Sequence, residues 1–261
     1  MAQMSETNNR GASDPLYRGA LSGASALVTG GSRGIGRAIA LRLAKLGARV
    51  AICGRSQAAL DETLGMLRDV GKNPDGNFGA TAHAQVADVS SASEVAALIA
   101  NTESAIGPIS ILVNNAGIGS FGPVLEQSEA TWDTVLDTNL KSVFLVSRAV
   151  APGMIARGAG DIINISSLAG LNAFAGGAIY CASKWGLQGL TACMAEDLRA
   201  HGIRVSVVCP GSVATEFGGN LAQNKPHALH AEDVAHAVET IVTQASNSFI
   251  SQMQIRPLRK A

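Results

Sequence analysis

The sequence predicts a doubly wound α/β fold, a parallel sheet of about seven strands with helices on both faces, and three observations carry that expectation. Short β-branched runs alternate with longer segments of helical period from Leu21 onward. Most of the short runs are continuously apolar, as strands buried on both faces must be. The first of them leads into closely spaced glycines that open a helix, where open α/β sheets hold anionic ligands.

The chain of 261 residues is 47% hydrophobic and 15% charged, with 20 basic against 20 acidic side chains. That apolar content excludes a disordered chain, and the charge balance removes any electrostatic case for gripping nucleic acid or an anionic membrane. No apolar stretch approaches the ~20 residues needed to cross a bilayer, so a soluble protein is expected. Residues 1–20 are rich in Ser, Asn, Glu and Arg without an apolar core, and read as a flexible polar tail, not a secretory signal. Residues 21–261 read as one domain, since no linker, repeat or low-complexity block divides them. Cys53, Cys181, Cys193 and Cys209 lie in apolar stretches with no CxxC pair, which suits buried thiols in a reducing compartment and makes the cytoplasm the expected location.

In chain order, residues 26–28 form the first strand, and Ile35, Ile39, Leu43 and Leu46 then recur at helical spacing with Gly47 as a C-terminal cap. A strand at 49–53 precedes a helix at 57–70, and a weaker strand within 81–89 precedes a helix at 92–105. The strand at 109–113 is followed by one long helical segment, 129–157. A strand at 161–165 and a helix at 177–201 come next, then a strand at 204–208, a helix at 232–244 and a weaker strand at 249–255. Each crossover between parallel strands needs such a helix.

Directly after the first strand stands Thr29-Gly30-Gly31-Ser32-Arg33-Gly34-Ile35-Gly36. Glycines at 30, 34 and 36 let the backbone turn tightly and let a pyrophosphate approach the helix N-terminus, where free N–H groups and the dipole favour anions. The spacing is GxxxGxG, not the GxGxxG fingerprint, and a flexible turn is the bland alternative. Its place between first strand and first helix favours a dinucleotide, hence a Rossmann-type sheet. An acidic residue usually ends the second strand where the ribose is unphosphorylated, but here that strand ends Ile52-Cys53-Gly54-Arg55. Arg55 and Arg33 suit a 2′-phosphate instead, so NADP(H) is expected over NAD(H).

Tyr180 and Lys184 stand four apart on a helical segment and share a face, and Ser167 follows the strand that ends at Ile165. A free phenol has a pKa near ~10 and is a poor base at neutral pH, so a cationic neighbour must stabilise its anion. Lys184 supplies that charge and lowers the pKa of Tyr180; Tyr180 exchanges a proton with a substrate oxygen, and Ser167 polarises the carbonyl. That is the chemistry of hydride transfer between a nicotinamide and a carbonyl or alcohol.

With these residues in place, the sequence resembles the short-chain dehydrogenase/reductase family in its single-domain form, from Ala24 to about Thr215 with strong motifs and more loosely beyond. Asp88-Val89, Asn114-Asn115-Ala116-Gly117, Asn139 within Thr138-Asn139-Leu140, and Pro210-Gly211-Ser212-Val213-Ala214-Thr215 add to the match. The resemblance implies that Gly30, Ser32, Arg33, Gly34, Ile35, Gly36 and Arg55 bind the cofactor, with Asp88 and Val89 beside the adenine. It implies that residues 114–117, with Asn115, Ala116 and Gly117 at the cofactor, stiffen the central strand. Pro210, Gly211, Val213 and Thr215 would lie beside the nicotinamide, Lys184 and Tyr180 at its ribose, and Asn139 in a proton relay through Lys184. A homotetramer or homodimer packed through 129–157 and 177–201 is implied as well.

Within the family, 3-oxoacyl-carrier-protein reductases and broad carbonyl reductases both look similar. The C-terminus, Gln254-Ile255-Arg256-Pro257-Leu258-Arg259-Lys260, lacks the glycine-rich ending common among the former. A sugar-nucleotide epimerase needs a longer C-terminal lobe, and a nucleotide-binding regulator usually loses one of Asn139, Ser167, Tyr180 and Lys184, all present here. His227, His230 and His236 have no cysteine or tight carboxylate cluster with them, so no metal is expected. Trp132 and Trp185 read as packing residues, and Phe217, Gly218, Gly219 and Leu221 as a short lid.

Overall fold

A computed structural model of the chain describes residues 19–70, 81–217 and 226–259. Its strands are β1 (Ser25–Thr29), β2 (Arg49–Gly54), β3 (Ala82–Val86), β4 (Ile111–Asn114), β5 (Gly160–Ile165), β6 (Ile203–Pro210) and β7 (Gln252–Ile255). The helices are α1 (Gly34–Lys45), α2 (Gln57–Val70), α3 (Ala92–Ile106), α4 (Glu129–Leu136), α5 (Ser142–Arg157), α6 (Ala178–Arg199) and α7 (Ala231–Val242). The strands form one sheet in the order β3-β2-β1-β4-β5-β6-β7, every neighbouring pair parallel. This is the Rossmann-type sheet that the apolar runs predicted.

The alternation of side chains along each strand feeds two cores. Ala26 and Val28 of β1, with Ile52, Val113 and Ile165, pack on one side against Ile39 and Leu43 of α1, Leu60 of α2 and Val238 of α7. Leu27, Ala51, Leu112, Ile162 and Val205 face the other way, against Leu98 of α3, Val146 and Met154 of α5, and Ala195 of α6. The chain runs outward from β1 to β3 and returns to β4 on β1's other side, so a crevice opens beyond the carboxyl ends of β1 and β4. Across the first layer, Arg42 of α1 and the buried Glu239 of α7 form an ion pair that His236 joins.

Several expectations need correction. The segment 129–157 is not one regular helix: residues 137–141 form a π-helical turn between α4 and α5, a local widening that hydrophobic period alone cannot reveal. Trp132 and Trp185 are about half exposed in the isolated chain, and Cys193 is exposed while the other three thiols are buried. The expected tail lies, except for Gly19 and Ala20, outside the described residues, as do Gly218, Gly219 and Leu221 of the expected lid. Among the described residues no helix is long and apolar enough to cross a membrane, and no three His, Cys, Asp or Glu side chains converge as metal ligands.

Candidate active site

The glycine loop leaves β1 at the crevice and enters α1. Gly30 and Gly34 take positive φ, +63° and +52°, which side chains rarely adopt. Gly36 has another reason: a Cβ there would stand 2.2 Å from the Gly30 carbonyl oxygen and 2.5 Å from Asn115 Nδ2. The loop is braced from three sides. Thr29 Oγ1 accepts from the N–H groups of Asn115 and Ala116, and Asn115 Nδ2 donates to the carbonyls of Thr29 and Gly30. Arg37 Nη2 at 2.8 Å and Thr63 Oγ1 at 2.9 Å both donate to the Ser32 carbonyl. Arg37 and Thr63 are residues that sequence reasoning missed; an arginine one turn into α1 reads as surface charge until α2 is folded beside it.

Gly30, Ser32, Gly34, Gly36, Asn115 and Ala116 help to wall a cleft of about 960 Å³, with Thr29, Arg37 and Thr63 bracing them from behind. Its lining includes Ser32, Arg33, Gly34 and Ile35 with Arg55, Asp88 and Val89, and also Ala116, Gly117, Pro210, Gly211, Val213 and Thr215. The residues fit a nicotinamide dinucleotide. The first turn of α1 has no side-chain cap and no acidic residue, so its N–H groups are left for an anion. Neither Arg33 nor Arg55 forms an ion pair among the described residues, and β2 ends without a carboxylate. Asp88 is turned inward upon its own loop: Ser90 donates to Asp88 Oδ1 through its hydroxyl at 2.7 Å and its N–H at 2.9 Å. Those bonds, with Arg55 and Lys141 nearby, hold the Asp88 carboxyl below its usual pKa.

Ser167, Tyr180 and Lys184 all line the same cleft. Ser167 lies just past the carboxyl end of β5 and caps the short turn Leu168–Gly170, its Oγ accepting from Ala169 N–H at 3.1 Å. Tyr180 and Lys184 lie one turn apart in α6, with Lys184 Nζ 5.9 Å from the centre of the tyrosine ring. Lys184 is held by a bond from Nζ to the Ile165 carbonyl at 2.9 Å. Burial pushes the Tyr180 phenol up to about 12, against a hydrogen bond with Ser167 that pulls it down. Burial also pulls Lys184 down to about 8. The lowered phenol pKa expected from Lys184 is therefore not what this site has by itself, because desolvation outweighs the partners.

Asn139 alone among the expected catalytic residues does not line the cleft. It is fully buried in the π turn, where Oδ1 accepts from Ile118 N–H at 2.8 Å and Nδ2 donates to the Ile118 carbonyl and to Ser183 Oγ. Gly117 is small for the same reason: its Cβ would lie 3.3 Å from Asn139 Oδ1 and 3.7 Å from Lys184 Nζ. Behind them Asn114 Nδ2 donates to Asn164 and Ser147, and Asn164 Nδ2 to Thr191, a buried chain that ties β4 to β5, α5 and α6. Such groups are costly unless every one is paired, so they fix the spacing of the strands that carry the site.

Three phenylalanines complete the cleft, two of them, Phe121 and Phe174, missed by sequence reasoning. Phe121 stands edge-on to Tyr180 with ring centres 5.4 Å apart, Phe217 lies 5.8 Å from Tyr180, and Phe174 lies 6.1 Å from Phe121. They come from three loops far apart in sequence, and only Phe217, as a lid residue, was singled out.

Known proteins share much of this sequence and fold. The model of the short chain dehydrogenase family matches residues 24–226. A putative ketoacyl reductase of Streptomyces coelicolor is 40% identical over 201 residues, 76% of this chain and 74% of the relative. Gluconate 5-dehydrogenase of Gluconobacter oxydans is 42% identical over 205 residues, 78% of this chain and 77% of the relative. A crystal structure of a metagenomic short-chain oxidoreductase in complex with NADP is 42% identical and superposes with a TM-score of 0.79, covering 92% of this chain and 100% of that one.

Proposed function

The chain belongs to the short chain dehydrogenase family, whose members act between hydroxyl and carbonyl groups, and we propose that it is an NADP(H)-dependent oxidoreductase interconverting a ketone or aldehyde with an alcohol. The observation that carries this reading is the meeting of Ser167, Tyr180 and Lys184 in one cleft with the glycine loop and the two arginines. When bound, a nicotinamide would supply or accept the hydride.

The remaining steps belong to the chain. Ser167 donates a hydrogen bond to the carbonyl oxygen and raises its electrophilicity. Tyr180, with a pKa near 12, is fully protonated at neutral pH and gives its proton to that oxygen as negative charge develops there. Lys184, with a pKa near 8, is mostly an ammonium at neutral pH and steadies the phenolate left behind. Asn139 acts in the relay that returns a proton towards Lys184, while its side chain braces the 117–118 backbone. Arg33 and Arg55 would hold the 2′-phosphate, Asp88 and Val89 would border the adenine, and Asn115, Ala116 and Gly117 with Pro210, Gly211, Val213 and Thr215 would bound the nicotinamide half.

Residues 21–261 act as one catalytic domain, in the cytoplasm. A homodimer or homotetramer through α4, α5 and α6 is supported by the exposure of Trp132, Phe144 and Trp185 on that side. A second reading, reduction of a 3-oxoacyl chain on a carrier protein, is favoured by the Streptomyces coelicolor relative.

The test is a panel of ketones, aldehydes and an acyl thioester followed by loss of NADPH absorbance, repeated with NADH and with the R33A/R55A double variant. Turnover of carbonyl compounds is expected, with NADPH preferred. The double variant should lose about tenfold to hundredfold in NADPH affinity, the worth of charge-assisted bonds to a phosphate, and little towards NADH. Equal losses for both coenzymes refute the NADP(H) assignment, and no turnover of any member refutes the activity.

A further inference from the structure

We propose that the substrate carries an aromatic ring directly on its carbonyl carbon, seated against a wall made by Phe121, Phe174 and Phe217. The inference rests on the carbonyl reduction proposed above and names the substrate class for that site. All three rings face the cleft or its mouth and remain 44%, 48% and 38% exposed, a concentration of apolar surface that water solvates poorly. The wall begins at the acid itself, since Phe121 and Phe217 both lie against the Tyr180 ring. A carbonyl oxygen within hydrogen-bonding reach of Tyr180 therefore brings its first substituent, not some remote part of the molecule, against the phenylalanines.

The loops that carry the wall are tied to one another. Gly122 N–H donates to the Gly176 carbonyl at 2.8 Å, stitching the loop that carries Phe121 to the loop that carries Phe174. Ser120 Oγ donates to Gln127 Oε1 at 2.9 Å and pins the other side of Phe121. Two glycines make room for the rings: a Cβ at Gly119 would stand 2.8 Å from Phe121 and 3.0 Å from Phe217, and one at Gly177 2.6 Å from Phe174.

Ring geometry selects among apolar groups. The ring pairs are tilted or edge-on, at 40°, 64° and 54°, with centres too close for a ligand to be sandwiched between two of them. A fourth ring adds to this cluster edge to face, an arrangement aromatic pairs favour beyond the area they bury. A saturated ring of the same size gains the burial without that term, and a flexible alkyl chain also loses rotamer freedom on binding.

The test compares phenyl methyl ketone with cyclohexyl methyl ketone, measuring kcat/KM with NADPH for the native chain and for F121L, F174L and the double variant. The ketones' intrinsic reactivities cancel when the phenyl-to-cyclohexyl ratio is compared between proteins. The ratio should fall about tenfold in the double variant, as expected for two lost ring pairs. A ratio unchanged within about twofold overturns the proposal, as does an acetoacetyl thioester that outruns phenyl methyl ketone in native and F174L chains alike. Should the double variant not fold by thermal melting, F174L decides alone, because Phe174 is the most exposed of the three and does not touch Tyr180. Turnover of both ketones with an unmoved ratio removes the aromatic preference and leaves the reductase; turnover of no carbonyl, with nicotinamide binding intact by fluorescence, removes both.

Discussion

At the nucleotide end of the cleft, shape is held by polar side chains that grip main chain. Arg37 and Thr63 hold the Ser32 carbonyl, Asn115 holds the carbonyls of Thr29 and Gly30, and Thr29 holds two N–H groups in return. At the substrate end the walls are rings from three loops, packed on one another and on two glycines. The same methyl group added at either end would meet different obstacles: a fixed carbonyl at Gly36, a ring that can swing at Gly177. The contrast teaches where tolerance lies. A coenzyme demands one backbone path, whereas a substrate pocket is re-cut by rotating side chains.

Tyr180 sits where the two ends join, and removing its hydroxyl should have the largest effect. Tyr180→Phe keeps the ring contacts with Phe121 and Phe217 but deletes the proton donor, so kcat should fall about 10³-fold, within the range general acids contribute. NADPH binding, followed by fluorescence, should survive. A loss below about tenfold would strike Tyr180 from its role. The native pH profile sharpens the assignment. Lys184 is charged below its pKa of about 8 and loses that charge above it, while Tyr180 stays protonated up to about 12. Carbonyl reduction should therefore be flat below pH 8 and decline above it; a level profile across that pH would remove the ammonium from the mechanism.

Gly36→Ala probes the nucleotide end and ranks second. Its Cβ would overlap the Gly30 carbonyl and Asn115 Nδ2, neither of which can retreat without undoing the bonds that brace the loop. Overpacking of this kind costs about 1–3 kcal/mol, and the distorted loop should weaken NADPH about tenfold or more. Thermal melting and NADPH titration read the two effects separately. A variant with native melting temperature and native affinity would show that the loop gives way, and the contrast between the two ends would break.

Much of this organisation was legible in the sequence, and the reasons are local. Five of the seven strands follow from apolar runs that had to be buried, while the edge strands β3 and β7, half-polar and only partly buried, left a weaker signal; the glycine loop follows from spacing within eight residues. Ser167, Tyr180 and Lys184 come together because each stands at a strand end or a helix start, positions that a sequence pattern marks. What stayed hidden depends on contacts between distant segments. Arg37 reaches Thr63 and Glu62 across α1 and α2, and Phe121 meets Phe174 only when two loops are hydrogen-bonded together. The π turn at Asn139 was hidden differently: it inserts no proline or glycine, so a continuous helix was the natural reading of its residues.

Gly177→Ala should give the smallest effect, and for that reason it tests the comparison most closely. Gly177 has φ −99°, open to any residue, so the substitution carries no backbone strain. Its Cβ would come within 2.6 Å of Phe174 Cζ, the far end of a ring that is already half exposed and can rotate into the cleft. Gly177 is the N-cap residue of α6, where alanine caps less well than glycine, so stability should fall by no more than about 1 kcal/mol. The ring, once displaced, narrows the substrate end, so KM for an aryl ketone should rise about threefold while the NADPH dissociation constant stays put. If instead the coenzyme is lost along with the ketone, the Phe174 loop bears on the nucleotide end as well, and the two halves of the cleft are coupled through Gly122 and Gly176.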